Sequence, residues 1–322
     1  MQETKKLCSL IGRNTKTYFK DKFLFFTSML TPLILLVLFF TFLRNIYIDS
    51  FTQAFPEGFS VDSKIINGIA GAWLLSSVLS VSSVTVAFCA NMVMVDDKIH
   101  SSINDFKVVP VKSTTISISY LISNIFVVTL VIISVLVLGC IYLAAVGWYI
   151  SVSDFFMILL GCLCNILFGS LLATIILSFV STQGMQSAIA TLISALYGFI
   201  SGAYMPISSF SKGLANFLGL LPGTYGTSIM RNHCMNGYLN ELANVGVTSE
   251  AIKGIRDGFD ANIYFFDNSV SLPAMYGIIV GTCVALLIIY ILIVILKNKN
   301  VSFKFFDKIK NKFRKKLISE KD

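Results

Sequence analysis

Charge is what this chain has least of. Asp, Glu, Lys and Arg make up 13% of its 322 residues, against 55% hydrophobic ones, whereas soluble domains carry roughly a quarter charged residues. Between Thr114 and Ser211 the one acid or base of ordinary pKa is Asp154. A water-soluble fold could not hide so much apolar surface around one core. The composition predicts an all-α, polytopic membrane protein.

Other absences narrow the chemistry. There is no G-x-x-x-x-G-K-[ST] phosphate loop, and GTYGTS at Gly223–Ser228 lacks the lysine. Any energy from ATP must therefore come from another subunit, and no cofactor is expected on this chain. No acid, base or histidine falls in the middle of an apolar run, where ion-driven carriers place such groups. The seven cysteines (Cys8, Cys89, Cys140, Cys162, Cys164, Cys234, Cys283) lack metal spacing. Cys162 and Cys164 point to different sides of a helix. His233 and Cys234 adjoin in a predicted outer loop without further ligands. His100 and His233 are expected on opposite membrane faces, so neither a catalytic nor a metal site is predicted.

What is present are six runs long enough to cross about 30 Å of hydrocarbon. They fall near Phe23–Leu43, Gly68–Val95, Ile116–Val146, Phe155–Val180, Met185–Tyr204 and Leu272–Leu296. The first follows 22 mostly polar residues, exceeds a signal-peptide core in length and is expected to stay in the membrane. Lys and Arg number six before the first run, three after the second, none after the fourth and ten in the tail. The other connections hold two, none and four. The positive-inside rule then places both termini in the cytoplasm. The net charge of +8 follows from this bias, and no nucleic acid is implied.

Three domains are expected. Residues 1–22 form an interfacial helix with Leu7, Leu10, Ile11 and Tyr18 on one face and lysines toward anionic lipid head groups. Residues 23–296 form the six-span domain, and residues 297–322 a basic cytoplasmic tail. Within the second, MPISSFSKGLANFLGLLPG reads as outer re-entrant or interfacial pieces, in a segment of about 205–271. Its polar part, 227–271, reads as a small extracellular element with Ser249 as a helix cap.

Small residues recur every fourth position in three runs: Gly161, Asn165, Gly169 and Ala173; Ala190, Ser194, Gly198 and Gly202; Gly277, Gly281 and Ala285. Such stripes are packing seams where helices meet in lipid. The second run instead carries Ser76, Ser80, Ser83 and Asn91 on or near one face. That face serves either a neighbouring helix or a path for an amphipathic solute.

Between the second and third runs lies VDDKIHSSINDFKVVPVKS, Val95 to Ser113. As a helix it places Ile99, Ile103 and Phe106 on one face, and Pro110 ends it. Such an amphipathic helix suits either a groove on a soluble partner or the lipid interface.

With the six-run layout, this stretch resembles the membrane subunit of an ABC-2 type exporter. That family carries a pattern close to E-R-E-x-G-T-L-E-x-L-L-x-S-P-V after its second span. Set without gaps, Asp97 takes the first acid and Lys98 the base. Ser102 takes the Thr, Ile103 and Phe106 take leucines, and Pro110-Val111 the closing pair. Ile99, Ser101 and Asn104 depart from the pattern. The segment MPISSFSKGLANFLGLLPGTYG is similar to the family's outer re-entrant helices.

The resemblance implies a coupling helix of about 97–110, with Asp97, Lys98, Ile99, Ser102, Ile103, Phe106 and Pro110 meeting the ATPase. It implies two cytoplasmic ATPase subunits binding ATP and Mg, and a second copy or a sister permease. A path between protomers would be lined by Ser76, Ser80, Ser83, Asn91, Ala190, Ser194 and Gly198. The expected function is export of an amphipathic or lipid-like compound (drug, peptide or natural product). A permease for a lipid-linked polysaccharide or teichoic-acid-like glycan is the alternative within this class, and a self-sufficient channel or carrier outside it.

Overall fold

The computed structural model of the chain describes residues 2–39, 41, 44, 45, 48, 61–100, 102 and 111–298. Eleven α-helices and one small hairpin account for nearly all regular structure in these residues. Helix α1 (Gln2–Lys20) turns at Asp21, whose carboxylate accepts from Leu24 N at 3.0 Å and caps α2 (Lys22–Leu38). Then come α3 (Ser63–Ala90), α4 (Met92–Ile99), α5 (Ser113–Val146), α6 (Val152–Ser178) and α7 (Gln183–Ile200). After a single turn at Ile207–Ser209 follow α8 (Lys212–Leu218), α9 (Pro222–Asn244) and α10 (Ser249–Gly258). Strands β1 (Ile263–Phe265) and β2 (Asn268–Val270) pair antiparallel, and α11 (Leu272–Asn298) ends the described chain.

The bundle is ordered inside out relative to hydropathy. Helices α5 and α11 are the most apolar, yet most of their length is unburied and shows Phe126, Leu138, Val284 and Ile288 outward. The serine-rich α3 is enclosed on every side, by α2, α5, α6, α7 and α9. Lipid tails are as apolar as leucine, so burying a leucine-rich face against protein gains little. Hydroxyls and glycines, which need protein partners or close backbone approach, occupy the centre.

Four stretches among the described residues are long and apolar enough to cross a membrane: Ser63–Ile99, Ser113–Val146, Val152–Ser178 and Leu272–Leu296. The expected first span, Phe23–Leu43, appears as the shorter α2, with residues 40, 42 and 43 outside the described set. The expected fifth, Met185–Tyr204, ends at Ile200. The chain turns there because Gly202 takes a left-handed φ of 71°.

The segment read as an extracellular element needs the largest correction. Residues 222–244 form a 23-residue helix, started by Pro222 in its first turn and packed against α3, α6 and α11 inside the bundle. Tyr225, Met230, Cys234, Tyr238 and Leu242 are buried along it. His233 and Cys234, expected in an outer loop, lie in this helix and are buried. Its average polarity hides it from any hydropathy reading, because protein rather than lipid covers it. Two smaller expectations also change. Thr248, not Ser249, caps α10, accepting from Ala251 N at 3.4 Å. The α11 stripe Gly277, Gly281 and Ala285 faces outward, and nothing among the described residues lies within 4 Å of a Cβ at either glycine.

Candidate functional site

Three consecutive residues near the end of α4 each bond a different neighbour. The Asp96 carboxylate accepts from Gln186 Nε2 of α7 at 2.9 Å. Asp97 accepts both terminal nitrogens of Arg13 in α1, Nη2 to Oδ1 at 2.7 Å, and the Tyr120 hydroxyl of α5. Lys98 Nζ donates to the carbonyls of Leu177 and Ser178, at 3.0 and 3.1 Å. Those carbonyls lie in the last turn of α6, where a cation complements the helix dipole.

The geometry explains why α1 docks here. Its buried stripe includes Asn14 and Tyr18, beside the partly buried Leu7, Leu10 and Ile11. Asn14 Nδ2 reaches Ser119 Oγ at 3.4 Å, and the Tyr18 hydroxyl meets Ser28 Oγ at 2.6 Å. Thus the face expected to lie in lipid rests largely on α5 and α2. Arg13 is held by a two-pronged carboxylate contact, the strong form of this pair. Hydrogen bonding to Asp97 raises its pKa above the ordinary arginine value.

The predicted coupling residues divide sharply. Asp97 is 6% exposed and engaged inside the chain, so it presents no free carboxylate to a partner. Lys98 caps α6, Ile99 packs partly against the core, and Ser102 is half-buried. Ile103, Phe106 and Pro110 lie outside the described residues, as do residues 299–322 of the expected tail. Arg13, Tyr120 and Gln186 belong to the junction, and no sequence pattern singles them out. Arg13 read as one base among six, and only its contact distinguishes it.

The predicted path residues also divide. Ser76, Ser80, Ser83 and Asn91 are all buried within the protomer. Ser76 and Ser83 donate to the carbonyls of Trp73 and Leu79, both at 2.7 Å. Asn91 Nδ2 donates to Thr174 Oγ1 at 2.6 Å. The α6 stripe accounts for the enclosure: Gly169 sits against the backbone of Ser83 and Val84, and Asn165 donates to Gly226 O of α9 at 3.2 Å. On α7, Ala190 and Ser194 are half-exposed, while Gly198 lies under the Tyr204 ring.

A second polar centre lies on α9. Arg231 is 1% exposed, donates to Asp260 Oδ2 at 3.0 Å and Ser77 Oγ at 3.3 Å, and also to Gly202 O. Its guanidinium carbon stands 5.0 Å over the Trp73 ring, a cation–π position. Asp260 additionally accepts the backbone N–H groups of Ile207 and Ser208. One ion pair therefore joins α3, α9, the turn after α7 and the end of α10. Beside it, Asp154 of α6 accepts from Ser151 Oγ at 2.7 Å and Asn236 Nδ2 at 3.1 Å, and lies 3.4 Å from His233 Nδ1. These groups tie elements together. No metal-ligating cluster accompanies them among the described residues.

The arrangement is a closed helical bundle with a three-residue hub at one end. A family model described as ABC-2 type transporter matches residues 5–234, from α1 into α9 and across the whole hub. Comparisons with curated proteins and with solved structures returned no match.

Proposed function

We infer how this chain works from one premise: it belongs to the ABC-2 type transporter family. It is a multi-pass membrane component, the permease of an ABC transporter, and its domain is not the catalytic one. We propose that two cytoplasmic ATPase subunits drive it, and that it exports an amphipathic or lipid-like compound from a bacterial cell. Their ATP-dependent closure would act on residues 97–110. Differential binding of ATP to two states supplies the work, and the permease supplies the path.

The observation that carries this reading is the hub. Asp96, Asp97 and Lys98 link the start of that segment to α7, α1, α5 and α6 at once. A displacement of the segment is thereby passed to three long helices and the amphipathic leader together. Asp97 then acts as an internal strut, while contact with the ATPase falls to Ile103, Phe106 and their neighbours. The path would run along the half-exposed Ala190–Ser194 face of α7. Ser76, Ser80, Ser83 and Asn91 join it only when α3 parts from α6 and α9. Hydroxyl, amide and apolar groups without fixed charge suit an amphipathic cargo better than an ion.

The test is purification of the tagged chain from its own membranes in mild detergent, followed by mass spectrometry. An ATPase subunit should copurify near one-to-one. The double variant Ile103→Asp/Phe106→Asp should insert normally and lose both the ATPase and transport. Normal transport in that variant would sink the proposed contact. A chain that moves solute in liposomes without any ATPase would favour a self-sufficient carrier.

A further inference from the structure

Between α2, α3 and α5, near the end of the bundle opposite the hub, lies a cavity of about 200 Å³. Pro32 and Leu36 of α2, Leu75 and Val78 of α3, and Leu138 of α5 form its walls. Tyr142 lines one end. It lies four residues before the terminus of α5 at Val146, about 6 Å at 1.5 Å per residue. Val135, at the other end, is seven residues deeper, so the slot runs about 10 Å along the helix. Its depth is set at Gly71, where a Cβ would come within 2.7 Å of the Tyr142 ring. The slot has room for several methylene groups, each about the size of a water molecule.

The walls are apolar, yet the Tyr142 end is not. Tyr142 interacts with the guanidinium of Arg44, and Arg44 Nη2 donates to Asn67 Oδ1 at 2.6 Å. Asn67 in turn donates to Ser63 O at 2.6 Å. Lys64, in the first turn of α3, adds a second positive charge at this end. Tyrosines collect at the head-group level of membranes, and Tyr142 lies about one turn from the end of α5. The slot therefore has the two halves of an amphipathic ligand site: a dry groove in the hydrocarbon and a cationic, hydrogen-bonding rim at the interface.

We propose that this slot holds the head-group-proximal stretch of one acyl chain of an anionic phospholipid, with its phosphate on Arg44 and Tyr142. Lipid tails already surround the protein, so apolar contact alone gives no preference for the slot over the bilayer. Selectivity comes from the rim, where Arg44 recognises a phosphate oxygen pair as guanidinium groups do. The bound lipid fills the gap between α2 and the α3–α5 pair and fixes their spacing. The proposal needs only that the chain spans a membrane, and stands apart from what the transporter carries.

The test uses the purified full chain in detergent, given equimolar dioleoylphosphatidylglycerol and dioleoylphosphatidylcholine and read by native mass spectrometry. The wild type should retain one phosphatidylglycerol per chain, several-fold in preference to phosphatidylcholine. Leu138 is 67% exposed, so Leu138→Trp fills the mouth without disturbing packing and should abolish that retained lipid. Arg44→Gln should keep one lipid but remove the head-group preference. No retained lipid, or a retained lipid that Leu138→Trp does not displace, overturns the site. An undiminished preference in Arg44→Gln overturns the assigned rim.

Discussion

Arg231 and Asp260 show how much one pair can hold when water is excluded. The two side chains are 1% and 3% exposed, and a buried charge left without its partner is costly. Breaking such a pair by removing one member costs about 3–5 kcal/mol. Arg231→Met should therefore lower the thermal stability of the purified protein by that order, measured by melting in mild detergent. Asp260→Asn removes the stranded charge and keeps an acceptor oxygen for one of the Ile207 and Ser208 N–H groups. Added to Arg231→Met, it should recover part of the loss, a coupling that a double-mutant cycle detects. Two strictly additive losses would show that the pair is not the linkage described. Asp97 differs in kind: it is anchored to a half-exposed arginine at the surface end, so it orients elements more than it stabilises them.

At the scale of an element, α9 is held by how closely its backbone is approached. A Cβ on Gly237 would stand 1.8 Å from the carbonyl oxygen of Tyr149, and backbone cannot yield as a side chain tip can. Gly237→Ala should displace α9 from the α5–α6 connection and lower yield and melting temperature in detergent. Gly254→Ala is the control, because nothing lies within 4 Å of its Cβ position and α10 is exposed there. That change should be neutral or slightly stabilising, since glycine is a poor helix former by up to about 1 kcal/mol. Equal behaviour of the two variants would contradict the close packing of α9. Helix α3 follows the same physics, with Gly169 of α6 seated on its backbone. This contact holds α3 and α6 at close backbone distance.

On the scale of the whole molecule, the pairing of two permeases that the resemblance implies needs an apolar surface not already covered. Helix α7 offers one, with Leu192 56% and Leu196 49% exposed and Ala190 and Ser194 beside them. If two copies meet there, Leu192→Cys or Leu196→Cys should crosslink copy to copy in native membranes. Leu287→Cys on α11, equally outward, should not. Crosslinking through α11 alone would move the contact to the face carrying Gly277 and Gly281. A heteromeric complex would give a crosslinked species of different mass on the same α7 positions.

Much of this architecture was readable from residues alone. Scarcity of charge gave the membrane class, because the cost of leaving charge in hydrocarbon does not depend on the fold. Long apolar runs located α3, α5, α6 and α11 to within several residues, since length and hydropathy set what can span. The polar break that begins within α4 and its resemblance pointed to the family. What tertiary structure alone decided was which polar groups face one another. Arg13 and Asp97 are 84 residues apart, and Arg231 and Asp260 are 29 apart, with no periodicity to link them. Hydropathy likewise placed α9 outside, because it measures preference for lipid or water. It carries no information about a polar helix that protein itself surrounds.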